Sequence, residues 1–76
     1  MKWITPRVQE ILHQPAPWPG FAFKVVEADG GIFLLVKLEE LAKFSQRQQE
    51  DISAWMAGMC NSVRQLQVPC YIQEWK

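Results

Sequence analysis

The chain has one histidine and two cysteines, few of the side chains that most often ligate zinc or act as catalytic bases and thiol nucleophiles. His13 alone cannot build a His–His metal site or a histidine-rich catalytic cluster within one chain. It falls outside the apolar stripe of its segment, near the end of a short helix, where an imidazole suits the helix dipole and a capping role suffices. Cys60 and Cys70 are too few for a disulfide scaffold and lack CxxC spacing. Both occupy expected core positions, which reads as free buried thiols, away from His13. Ser45, Ser53 and Ser62 have no partner base in sequence. The acidic pairs Glu39-Glu40 and Glu50-Asp51 are adjacent residues that do not share a helix face, and their places near helix starts explain them. Asp29-Gly30-Gly31 joins two strands and so lacks the helix N-terminus of a phosphate loop. No catalytic, cofactor-binding or metal site is therefore expected, and the chain reads as non-enzymatic.

An excess of charge of either sign is also missing. Eight Lys and Arg balance eight Asp and Glu, leaving a formal net charge of zero. Dedicated nucleic-acid binders depend on an excess of cations to neutralise phosphates, and docking to anionic membranes needs the same excess. The N-terminal MKWITPRVQE has no apolar run of signal-peptide length, and no later stretch approaches a membrane span. The expected location is cytoplasmic.

What the chain does have is an apolar content near the globular average and a rich share of tryptophan, four in 76 residues, inconsistent with disorder. A single domain of this length buries only about 60% of its unfolded surface, so uncovered apolar area matters. Asp29-Gly30 between two β-rich apolar runs is a strong hairpin signal. A two-residue turn there pairs Val26 with Phe33, Lys24 with Leu35 and Ala22 with Lys37 on one face. Val25 then meets Leu34, and Phe23 meets Val36, on the other, which makes a core face.

Around the hairpin the order is α-β-β-α-α-β. Thr5-Pro6 caps a first helix from Pro6 to about Gln14, with Val8, Ile11 and Leu12 inward, ended by Pro15, Pro17 and Pro19. Strand one covers Phe21–Ala28 and strand two Gly31–Lys37. Leu38 to Phe44 reads as a short helical turn. Ser45 and Gln48 form a capping-box pattern for a long helix with a stripe of Ile52, Trp55, Met56, Met59, Cys60, Val63 and Leu66. Gly58 inside it hints at close packing. Val68 to Trp75 returns as strand three, with Cys70 and Ile72 toward the core. It can lie antiparallel beside strand one, the preferred arrangement, or parallel beside strand two after a crossover. The expected class is a small single α+β domain spanning residues 1–76. Its three-stranded sheet is mainly antiparallel, with a long amphipathic helix on one face.

The second sheet face is the functional question. Lys24, Val26, Phe33, Leu35, Lys37, Tyr71, Gln73 and Trp75 share it, too apolar for plain solvent surface. Three readings follow. The first helix or the tryptophan loop folds across it; a protein partner or a second copy docks on it; or single-stranded nucleic acid stacks on its rings. Trp18, held among prolines, is either a core plug or a rigid anchor for the same partner. The element order is similar to that of type II KH domains, but Lys43-Phe44-Ser45-Gln46-Arg47 lacks the GxxG loop. Gly31-Ile32-Phe33-Leu34-Leu35-Val36 likewise lacks the aromatic RNP pattern. The sequence thus leads to a protein-binding module, a homodimer or accessory subunit, using Trp18, Lys24, Val26, Phe33, Leu35, Lys37, Tyr71 and Trp75. The alternative is single-stranded nucleic-acid binding through the same face.

Overall fold

The computed structural model describes residues 3–75. Its elements are α1 (Pro6–Leu12), β1 (Lys24–Ala28), β2 (Gly31–Val36), α2 (Leu38–Leu41), α3 (Gln46–Gln65) and β3 (Cys70–Glu74). The α+β class and the element order are those expected from sequence, with shorter elements. Helix α1 stops at Leu12 and β1 begins only at Lys24, because the proline-rich connection keeps residues 13–23 out of both.

The local signals work as chemistry requires. Thr5 Oγ1 accepts from the Val8 N–H at 3.2 Å, and Pro6 opens α1 without wasting a donor. At α3, Ser45 Oγ accepts from the Gln48 N–H while Gln48 Oε1 accepts from the Ser45 N–H, both at 3.2 Å, completing the capping box. One apolar cluster unites Val8 and Leu12 of α1, Ile32, Leu34 and Val36 of β2, Cys70 of β3 and the α3 stripe of Ile52, Met56, Met59, Cys60 and Val63. Helices α1 and α3 therefore share one side of the sheet. Trp55 is half-buried, and Leu66, expected on the stripe, is 38% exposed, because it serves as the C-cap residue beyond the last helical turn.

The sheet corrects one expectation. Its order is β1-β2-β3, with β1 antiparallel and β3 parallel to β2, so the sheet is mixed and strand three does not lie beside strand one. Two contacts explain this placement. The N-terminal segment holds the far strand: Glu27 Oε2 accepts from the Trp3 and Ile4 N–H groups at 2.8 and 3.1 Å, and Trp3 Nε1 donates to the Ala28 carbonyl at 2.9 Å. On the other side, Gly31 has no side chain to keep the returning chain away, and the Ile32 N–H donates to the Pro69 carbonyl at 2.9 Å.

The hairpin has the register expected from Asp29-Gly30, with Val25 opposite Leu34 and Val26 opposite Phe33. Its positive φ falls on Gly31, at +133°, rather than on either central turn residue. Gly58 offers no close packing, since a Cβ there would meet nothing within 4 Å. Gly58→Ala is accordingly expected to raise stability by about 0.5–1 kcal/mol through helix propensity, read as a higher urea midpoint at unchanged slope.

Candidate sheet-face interface

Parity along the three strands builds the second face. Val26, Phe33 and Tyr71 form one row across β1, β2 and β3, and Lys24, Leu35 and Gln73 form the next. Lys37 and Trp75 extend it just beyond the strand ends, where the Trp75 N–H donates to the Val36 carbonyl at 2.8 Å and continues the ladder. Val26, Phe33, Leu35 and Trp75 are half-buried, while Tyr71 is 42% exposed.

The reading in which the first helix or the tryptophan loop closes this face is overturned. Helix α1 packs with α3 through Val8 and Leu12, on the opposite side of the sheet. Trp18 belongs to that side too. Its indole meets Trp55 edge-on at 5.6 Å and Phe21 at 6.3 Å, and Phe23 and Phe44 complete the aromatic cluster. Trp18 is therefore not brought to the face shared by the other seven candidate residues. It secures the 13–23 connection over α3.

Aromatic and cationic groups interleave on the face itself. Phe33 and Tyr71 stack with ring centres 5.4 Å apart and an interplanar angle of 28°. Two ammonium groups stand over the Trp75 ring, Lys37 Nζ at 4.6 Å and Lys24 Nζ at 5.4 Å from its centre. These contacts draw lysine charge over the indole and hold the long stems across the neighbouring strands. Arg64 is an addition that sequence reasoning missed. From the last turn of α3 its guanidinium reaches round β3, with Cζ 5.5 Å from the Tyr71 ring centre and Nε donating to the Cys70 carbonyl at 2.8 Å. A cation in the last turn of a helix already suits the helix dipole, and only the return of β3 beside α3 gives Arg64 its second role.

The nucleophile candidates lie elsewhere. His13 is exposed at the C-cap of α1. Cys60 and Cys70 are buried free thiols, with Cys60 Sγ donating to the Cys70 carbonyl at 3.1 Å. Burial, with the neighbouring Cys60 thiol adding to it, pushes the Cys70 thiol from 9.0 up to about 12. Such a group stays a thiol near neutrality. Among the described residues no helix is long and apolar enough to cross a membrane.

No protein-family model, curated protein or solved structure matches this chain.

Proposed function

We propose that this protein is a non-enzymatic protein–protein interaction module, a homodimer or an accessory subunit, that engages its partner through the aromatic sheet face. One observation carries this reading. Among the described residues no helix packs on the side of the sheet that carries Val26, Phe33, Leu35, Tyr71 and Trp75, and together they present apolar and aromatic surface rimmed by Lys24 and Lys37. A buried aromatic centre with a polar, cationic rim is the composition of interface hot spots. The chain's two thiols suit a reducing cytoplasm, where they persist as thiols.

Single-stranded nucleic acid would use the same residues, and the lysines beside Trp75 favour it. Against it, the Phe33 and Tyr71 rings already stack on each other, and the chain has no excess of positive charge for phosphates.

The test uses the wild-type chain, Phe33→Lys and Leu35→Glu as baits, with a melting curve for each. Both variants are expected to remain folded and to lose captured protein at least tenfold, because these half-buried side chains lie outside the core and become fully buried only when a partner arrives. Oligonucleotides are expected not to bind. Capture that survives both substitutions overturns the reading. So does oligonucleotide binding that requires Lys24 and Lys37 and falls steeply with salt, which would establish the alternative.

A further inference from the structure

We infer that the free edge of β3 pairs with β3 of a second copy of this chain, antiparallel about Gln73, to give a continuous six-stranded sheet.

The backbone supplies the first reason. The Ile32 N–H donates to the Pro69 carbonyl, and the Trp75 N–H donates to the Val36 carbonyl. In a parallel ladder alternate residues turn both backbone groups to the same neighbour, so 69, 71, 73 and 75 face β2. The groups of Ile72 and Glu74 then point away from the sheet, and among the described residues no hydrogen bond reaches them. The Cys70 carbonyl points outward as well, but Arg64 Nε and Cys60 Sγ already donate to it. The open template is thus Ile72 and Glu74. Antiparallel pairing about Gln73 sets Ile72 opposite Glu74 of the second copy, twice, and satisfies all four outward groups on each chain.

The two sheet edges also differ in protection. At β1 the N-terminal segment bonds to the Glu27 carboxylate and the Ala28 carbonyl, and Lys24 stands on the strand. Strand β3 reads Cys-Tyr-Ile-Gln-Glu, with no proline, lysine or glycine to discourage pairing. Apolar exposure collects beside it. Ile72, expected in the core from its parity, is 44% exposed because α3 does not extend over the edge there, and Leu38 is 52% exposed. Both line a groove of about 260 Å³ floored by Val36, Ile52 and Met56. In the pair, Ile72 lies diagonal to its own symmetry mate, within side-chain reach.

Charge complementarity selects a second copy over a foreign strand. Arg64 sits at the edge beside Cys70, its guanidinium turned round β3 toward Tyr71, one pair of rungs from Glu74 of the second copy. The two-fold axis repeats this Arg–Glu match, and neither residue has an ion-pair partner among the described residues. Self-complementarity of this kind is what an isologous interface requires. On the far side the same register brings Tyr71 opposite Trp75 of the second copy, joining the two aromatic faces into one platform.

Light scattering over a concentration series tests the pairing. The wild-type chain is expected to reach twice its 8.8 kDa mass. Ile72→Pro removes an outward N–H and an exposed side chain at the edge, leaves the β2–β3 ladder intact, and is expected to give a folded monomer. Glu74→Arg and Arg64→Glu are each expected to be monomeric alone, through like-charge contacts, and to form a heterodimer when mixed. Phe33→Lys is expected to stay dimeric while losing capture, so this inference and the sheet-face reading fail separately. A wild-type chain that stays monomeric throughout, or a dimer that persists in Ile72→Pro and in both charge variants, would overturn the inference. A mixture of the two charge variants that fails to associate would overturn it as well.

Discussion

Replacing Gly31 with alanine is expected to destabilise the fold by about 2–5 kcal/mol, a large share of the roughly 4–11 kcal/mol available to a chain of this length. Two costs act together. The backbone at Gly31 has φ +133°, a conformation that side-chain-bearing residues rarely adopt. An added Cβ would also stand 2.6 Å from the Pro69 carbonyl oxygen and 2.7 Å from the Pro69 Cβ. Relief means moving β3 away from β2, which breaks the bond from Ile32 to Pro69 where the parallel ladder begins. Gly30→Ala is the control. Gly30 lacks a positive φ, and the nearest atom to its Cβ is Phe33 Cζ at 4.0 Å. Urea denaturation should show a strongly lowered midpoint for the first variant and a change of less than about 1 kcal/mol for the second.

Leu34→Ala is expected to cost about 2–5 kcal/mol, and Leu35→Ala about 1 kcal/mol or less in the same measurement. The residues are neighbours in sequence and alike in chemistry. Leu34 is fully buried in the middle strand, between Val25 on β1 and Ile72 on β3, under the helix layer. Its truncation leaves a cavity that the flanking strands cannot close. Leu35 points to the other side, half-buried among Lys24, Gln73 and its face neighbours. Equal losses from the two truncations would mean that both sides of the sheet are core.

Much of this arrangement is legible in local patterns. The period-two alternation through Val25, Val26, Phe33 and Leu34 sets the two faces, and Asp29-Gly30 sets the register. Ser45 and Gln48 begin the long helix where its apolar stripe requires. The neighbour of strand three is not legible in the same way, because the alternation of Cys70, Tyr71, Ile72 and Gln73 fits either placement. That choice rests on contacts distant in sequence, Trp3 and Ile4 with Glu27 and Gly31 with Pro69. Ile72 shows the consequence. Its parity is that of a core residue, yet at the edge of the sheet the same parity leaves it in a groove open to solvent. Trp18 shows another limit, since a proline-rich frame fixes a ring rigidly without encoding which side of the sheet it meets. The seven remaining face residues need only strand periodicity, and these the sequence brings together.

The most direct test of the central claim, that the helices fill one side of the sheet and leave an aromatic face for a partner, is radical footprinting of the purified chain. Phe33, Tyr71 and Trp75 are expected to be modified readily, while Met56 and Met59, intrinsically more reactive but buried, are expected to be protected. Protection of Phe33, Tyr71 and Trp75 together, also in the Ile72→Pro chain that light scattering shows to be monomeric, would contradict it.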